Sequence, residues 1–367
     1  MPTFSQAFDS IWGAVSAAPD EPLDSPAFGS DPTQLEALLT ESRLAKSSLF
    51  GNTVFPVSPL YVTSICKEKC TYCNYRAGSS DPGLKRVRLS DDELAREVEF
   101  LVAGEGLRAV ELVYASDPAI THADIARHLS ITRRIVEQYG GHTVGLSAEP
   151  MSVDEYKALK DVGLTFSVVW QETYDPARYA ELHPGTQIKS NFRYRLESFE
   201  RMIQAGLEGV GYGVLSGLAD WRRDWSMLLR HQQWLRDNYG RGCNILGMPR
   251  LKAAPGSTFR EFTYAPNDDQ FLALVALHNV RFPDVRAFVS TREEFALCLR
   301  LAEGGGCLFT LDCSTVPGGY TLPNRGAQFV TGNYAAPQFA PRVEATGLKL
   351  DWFWSSTQSS EPLVQQS

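Results

Sequence analysis

The sequence predicts an α/β protein built as a (β/α)8 TIM-type barrel, with a helical extension before the barrel and a cap after it. Three observations lead there. Eight short apolar runs recur along the chain, amphipathic helical stretches lie between them, and the runs are apolar throughout rather than alternating. A strand apolar on both faces is buried on both faces, which is the condition of parallel strands covered by helices. Eight such strands with helix-bearing connections close into a barrel. An open doubly wound sheet would require one or two of the runs to be something other than strand.

Residues 1–52 read as the helical extension, where "DPTQLEALLTESRLAKSSLF" carries apolar residues at helical spacing behind an Asp-Pro start. The barrel is expected over 53–320. Its strand runs are VSPLYVTS (57–64), RAVELVYA (108–115), HTVGLSAEP (142–150), TFSVVWQE (165–172), GVGYGVLSGL (209–218), NILGMPRL (244–251), RAFVSTRE (286–293) and CLFTLDCS (307–314). Between them lie helical patterns such as "DDELAREVEFLVAGEG" and "ADIARHLSITRRIVEQYG", several ending in the glycine that helix C-termini favour. Past Ser314 the alternation weakens, and residues 321–367 are expected to form a cap on the barrel that ends in a polar tail.

Composition narrows the function. Hydrophobic residues make up 43% of 367, enough for a large core. With 35 Lys and Arg against 43 Asp and Glu the net charge is −8, and an acidic chain gains nothing from phosphate-rich partners, so nucleic acid is not expected. No apolar run approaches the length of about 18 that a membrane span needs. The N-terminus has no basic segment followed by an apolar run, so the cytoplasm is the expected compartment and its cysteines are expected to be reduced. Cys243, Cys298, Cys307 and Cys313 stand singly among apolar residues and read as packing; the six histidines form no paired metal motif.

Cys66, Cys70 and Cys73 are different. They lie within "SICKEKCTYCNYR", just past the first strand, at the catalytic face of such a barrel. The spacing is C-x3-C-x2-C. A structural zinc ion wants four protein ligands, usually as two separated pairs. A cubane iron–sulfur cluster also wants four, one per iron, and thiolates suit it. Three thiolates leave one iron open to a small molecule that chelates through an amine and a carboxylate, as S-adenosylmethionine does. An electron from a [4Fe-4S] cluster can break its sulfur–carbon bond, releasing a 5′-deoxyadenosyl radical that takes hydrogen from unreactive substrates. Tyr72, just before the third cysteine, is placed to stack beside the adenine. The rival readings are a zinc module and a non-catalytic electron-transfer protein, which would need a fourth ligand.

The ordered segments "FGNTVFPVSPLYVTSICKEKCTYCNYR", "WQETY", "YRLESFERMIQAGLEGVGYGVLSGLADW", "STRE" and "STVPGGY" resemble the radical S-adenosylmethionine aromatic amino acid lyases from about residue 50 to 320. That resemblance implies cleavage of a free amino acid, tyrosine to 2-iminoacetate and p-cresol as in thiazole and thiamine biosynthesis, or tryptophan in a related branch. It implies an external electron donor of flavodoxin or ferredoxin type and a downstream biosynthetic enzyme. Residue by residue, it implies that Glu172 and Arg195 contact S-adenosylmethionine, the guanidinium taking the methionine carboxylate. It implies that Arg292 and Ser314 hold the substrate carboxylate and that Tyr61 meets its amine. Arg250 is expected to face the same cavity. Two departures stand out. "YASDP" replaces the Thr-Gly-Glu of relatives, leaving Asp117 to meet the methionine ammonium, and Asn74 follows the third cysteine where glycine is usual. No second cysteine cluster lies near the C-terminus, which argues against the hydrogenase maturase of this group.

Overall fold

In the computed structural model, which describes residues 4–16, 22–25, 27–322, 326–329, 331–332 and 334–355, eight parallel strands form a closed barrel. They are β1 (Thr53–Thr63), β2 (Ala109–Tyr114), β3 (Thr143–Ser147), β4 (Phe166–Val168), β5 (Gly209–Gly213), β6 (Ile245–Gly247), β7 (Arg286–Val289) and β8 (Cys307–Thr310). Neighbours pair in chain order, and β1 closes the ring by pairing with both β8 and β2. A short ninth strand, β9 (Lys349–Leu350), extends the sheet beside the start of β1.

The expected strand order is the observed one, but the strands differ in length from the apolar runs. β1 begins four residues earlier than its run because Thr53 and Val54 pair with β9 and Phe55–Val57 with β8 before Ser58–Thr63 reach β2. The runs 142–150, 165–172 and 209–218 contribute only three to five strand residues each. The remainder forms loops at the C-terminal rim. Those loops are apolar because they are buried too, Val169, Val214, Leu215 and Leu218 all lying inside. Burial rather than strand geometry set the pattern there.

Outer helices begin at side-chain caps. Ser90, Thr121, Ser152 and Asn267 each form a capping box, satisfying amides that the first turn leaves orphaned. The extension helix Pro32–Phe50 starts at Asp31, which accepts the Thr33 and Gln34 amides, and stops at Gly51 in the left-handed region (φ 56°). It is fastened to the barrel wall by Lys46, whose ammonium donates to the carbonyls of Pro283 (3.1 Å) and Val285 (2.6 Å). Burial drives the Lys46 pKa down to about 7, so the tie is made by a cation that is costly to desolvate.

The bottom of the barrel is a solid plug of Phe55, Val57, Phe166, Ile245, Leu308 and Trp354. Gly145 makes room for it: a Cβ there would lie 2.0 Å from the Phe166 ring. The expected cap divides in two. Residues 326–329 return to the catalytic rim, whereas the helix Ala336–Glu344 and β9 lead the chain to the opposite end. There Trp354 seats its ring against Phe55 and Phe166 and donates from Nε1 to the Pro56 carbonyl at 2.9 Å; its own carbonyl accepts from Thr143 Oγ1 at 2.8 Å. Among the described residues no helix is long and apolar enough to cross a membrane.

Trp354 is 1% exposed and closes the floor from a segment remote in sequence. Trp354→Ala is expected to lower unfolding free energy by about 3–5 kcal/mol in equilibrium urea denaturation, by loss of transfer energy plus an unfilled cavity.

Candidate active site

Above the plug the barrel opens into a cavity of about 240 Å³, open at the C-terminal rim. Every strand sends residues or its following loop into the lining, β5 through Leu215 alone, as parallel closure requires.

Cys66, Cys70 and Cys73 lie on the loop after β1, with Cys73 on the cavity wall. Burial pushes all three thiols up, Cys66 to about 11, and neighbouring cysteines add to the rise at Cys66 and Cys70. The Cys73 sulfur accepts the Tyr75 amide at 3.3 Å and the Gln328 amide group at 3.4 Å. Among the described residues no three Cys, His, Asp or Glu side chains converge to hold a single metal ion. A cubane spreads three thiolates over three irons and makes no such demand.

Tyr72 also lines the cavity and is locked edge-on to His183. His183 Nδ1 lies 2.8 Å from the Tyr179 carbonyl, so it carries the proton and Nε2 accepts from the Tyr72 hydroxyl at 2.8 Å. Burial lowers the His183 pKa to about 3, which keeps the ring neutral.

Glu172 follows β4 with φ 72°, one of three described non-glycine residues in the left-handed region. That strain is held by charge. Lys189 Nζ pairs with its Oε1, and Arg195 Nη2 lies 3.3 Å from the same oxygen while Arg195 Nε donates to the Trp170 carbonyl at 2.6 Å. Burial alone would raise the Glu172 pKa; the two cations outweigh it and hold it at about 2. All three residues line the cavity.

On the opposite wall Tyr61 and Arg292 come together with Gln328 and Phe329. Tyr61 donates its hydroxyl proton to Gln328 Oε1 at 2.9 Å. The Arg292 guanidinium carbon sits 3.3 Å from the Phe329 ring centroid, and Nη1 reaches the Arg250 carbonyl at 3.5 Å. No carboxylate among the described residues pairs with Arg292, although burial depresses its pKa. It is a desolvated cation with free N–H donors facing a cavity.

Four expectations do not match this geometry. Asp117 does not face the cavity: its carboxylate is bidentate to Arg88 (2.5 and 2.8 Å) and also accepts from Thr63 Oγ1 (2.8 Å) and the Ala119 amide (3.0 Å). Burial opposes ionisation, but these donors hold its pKa below the usual range, and the lone pairs are spent. Ser116, one residue earlier, lines the cavity instead. Ser314 also points away, its hydroxyl accepting the Val316 amide at 3.3 Å while Cys313 opens into the cavity. Cys313 is therefore not the plain packing residue its surroundings suggested. Arg250 is committed to Glu293 and to Asp268 at 2.7 Å and contributes only its carbonyl near Arg292.

The site also holds residues that sequence reasoning missed. Lys189 sits in a polar stretch without period, so nothing marked it. Glu149 lies at the end of the third run, in "SAEP", as Glu172 does at the end of the fourth, and an acid at a strand end can face the barrel mouth. Glu149 Oε1 is buried without a hydrogen-bond partner, as is Oε1 of Glu68 on the cysteine loop; burial and then Glu149 push the Glu68 pKa up to about 7. Lys67 answers only one side, 3.5 Å from Glu149 Oε2. Two crowded carboxyls, each with an unmet oxygen, thus lie together beside the cysteine loop.

Comparison with known proteins agrees with this geometry. A family model described as the Radical SAM superfamily matches residues 60–227. The chain is 32% identical over 261 residues to 2-iminoacetate synthase of Escherichia coli (strain K12), the match covering 71% of this chain and 66% of that relative. It is 27% identical over 194 residues to 3-methylornithine synthase of Methanosarcina acetivorans, covering 52% and 53%. Among solved structures, the FeFe-hydrogenase maturase HydG from Carboxydothermus hydrogenoformans matches with a TM-score of 0.79 at 25% identity, over 95% of this chain and 79% of that one.

Asp117→Asn tests whether this carboxylate is structural. It is expected to cost about 2–3 kcal/mol of unfolding free energy in the ligand-free protein, because Arg88 and Thr63 lose a charged partner. Denaturation of ligand-free protein reads this directly; an unchanged midpoint would return Asp117 to the list of ligand contacts.

Proposed function

This chain belongs to the Radical SAM superfamily through its domain at residues 60–227, and from that premise we propose that it is a lyase that cleaves a free aromatic amino acid, tyrosine foremost, into 2-iminoacetate and p-cresol. The observation that carries the reading is Arg292, a buried guanidinium without a carboxylate partner, in one cavity with Tyr61 and Cys73. A guanidinium in that condition is matched by the carboxylate of a small molecule, bound through two parallel hydrogen bonds.

The superfamily uses a [4Fe-4S] cluster and S-adenosylmethionine, and the residues here fit both. Three thiols on one loop supply soft ligands for three of four irons, and a cationic centre removes the penalty that burial and mutual repulsion impose on their thiolates. When bound, cluster and S-adenosylmethionine together supply a 5′-deoxyadenosyl radical that abstracts hydrogen. Arg195 and Lys189, arranged around Glu172, provide the positive end of the cavity for the methionine carboxylate. Glu149 on the cavity wall, with Glu68 behind it, provides the negative end for its ammonium, the role that Asp117 cannot fill. Tyr72 covers the side toward the adenine.

The remaining groups serve the substrate. Arg292 fixes its carboxylate, and the Phe329 ring holds the guanidinium plane in one orientation. Tyr61, oriented by Gln328, presents its oxygen toward the amine. Trp170, Phe288 and Val168 keep water from the side chain, and Gly247 leaves room for the Trp170 ring, where a Cβ would lie 2.0 Å from it. The reaction breaks the Cα–Cβ bond, and an external donor of flavodoxin or ferredoxin type supplies the electrons. The identity with 2-iminoacetate synthase supports tyrosine as the substrate.

Turnover of oxygen-free, reconstituted protein with reductant, S-adenosylmethionine and each aromatic amino acid tests the reading. Tyrosine is expected to give 5′-deoxyadenosine and p-cresol by mass spectrometry; deoxyadenosine without p-cresol rejects tyrosine, and an unchanged paramagnetic resonance spectrum on adding S-adenosylmethionine rejects the radical reading. Arg292→Ala is expected to lower kcat/KM for the amino acid by about 10²-fold or more, with the cluster spectrum intact. Normal turnover in that variant removes Arg292 from the substrate site.

A further inference from the structure

One charged side chain in the cavity has no task in this scheme. Glu111 lies on β2, in register with Pro59 of β1 and Gly145 of β3, one inward-facing layer below Tyr61 and Val113. It is 4% exposed and lines the cavity directly above the aromatic plug. Among the described residues it makes no hydrogen bond and no ion pair. Its flanks offer no donor, since Pro59 has no N–H to give and the space beside Gly145 is filled by the Phe166 ring. Burial alone raises its pKa to about 8.

A lone acid in an apolar layer lowers stability, and nothing in the barrel requires it. Leucine or valine would fill the strand position at no such cost, as Val113 does one layer up. Local choices that oppose the fold mark functional positions. The placement says what function. Layers along a strand are separated by about 7 Å, two residues of rise. An amino acid held by Arg292 at the level of Tyr61 therefore points its side chain downward, and Glu111 waits at about the depth of a para substituent.

We propose that Glu111 is the specificity-determining residue of the substrate pocket, accepting a hydrogen bond from an O–H or N–H donor at the far end of the substrate side chain. The substrates are thereby amino acids whose side chains end in such a donor, with the phenol of tyrosine as the form that fits the aromatic reading above, on which the proposal rests. Phenylalanine is excluded because it would bury the carboxyl a second time without a partner. The asymmetry is strong, because a site built to bond a hydroxyl rejects the analogue that lacks it.

Equilibrium binding to the reconstituted enzyme with S-adenosylmethionine, without reductant, tests this separately from turnover. Tyrosine is expected to bind at least about tenfold tighter than phenylalanine and O-methyltyrosine in the native enzyme. In Glu111→Leu that ratio is expected to collapse to within about threefold, with Glu111→Gln, which keeps an acceptor, in between. An unchanged cluster spectrum and an unchanged or higher Tm certify that the variants fold. If no aromatic amino acid binds the native enzyme, the aromatic lyase reading fails, and the same comparison is made with lysine and ornithine against norleucine. Affinity for the amine-bearing members that depends on residue 111 upholds the proposal without that reading. A tyrosine-to-phenylalanine ratio preserved in Glu111→Leu, or no amino acid in either set whose affinity responds to residue 111, overturns it.

Discussion

Everything in this molecule depends on the closure of β1 onto β2. With all eight strands parallel, closure brings eight C-terminal ends to one rim, so chemistry from distant parts of the sequence meets over one floor. β1 carries more of this than any other strand. It pairs with β9, β8 and β2 in succession, sends Pro59 and Tyr61 inward, and runs straight into the cysteine loop. Because side chains alternate, a slip of one residue between β1 and β2 would turn Glu111 out of the cavity. The register is pinned from below, where Phe166 occupies the space vacated at Gly145 and Trp354 bonds Pro56 and Thr143.

Inside that enclosure, partner saturation sorts the charged groups. Asp117 and Arg250 have filled their hydrogen-bonding capacity with protein and serve the framework. Glu172 is filled too, yet at the expense of a left-handed backbone, and its two cations remain on the cavity surface. Arg292, Glu149 and Glu111 are unfilled. In a low-dielectric cavity an unfilled donor or acceptor costs about 1–3 kcal/mol, so three of them in one space describe the ligands by complement. They call for a carboxylate near Tyr61, a cation near the cysteines and a donor at the floor.

Much of this was legible in the sequence. The apolar runs stated the barrel, the C-x3-C-x2-C spacing stated the cluster, and the family resemblance pointed to Glu172 and Arg292. The misses have one geometric form. Ser314 and Asp117 each sit one residue beyond a side chain that does face the cavity, Cys313 and Ser116. Near a strand end the facing direction changes with every residue, and a pattern read to within one position cannot say which neighbour points inward. Gln328, Phe329 and Lys189 arrive on segments without period, so their approach to the site is a property of the folded chain alone. Glu111 was visible as a single acid within "RAVELVYA" and carried a meaning only once its surroundings proved to lack any donor.

Asn74 shows how a departure from relatives can hold a site together. It is fully buried and uses its whole carboxamide: Nδ2 donates to Asp81 Oδ2 (2.8 Å) and to the Ala327 carbonyl (2.7 Å), while Oδ1 accepts from Ser79 Oγ (3.0 Å) and the Gly256 amide (2.9 Å). Glycine could make none of these bonds. Ala327 precedes Gln328, which bridges Tyr61 and Cys73, and Phe329, which stacks on Arg292. The bond from Asn74 to Ala327 thus couples the loop that bears the cysteines to the segment that contacts Tyr61 and Arg292. In the proposed reaction a radical made beside the cysteines has to meet its hydrogen at that wall, and small displacements at such a gap cost large factors in rate. By tying both sides to one buried carboxamide, this chain fixes that gap in the protein itself.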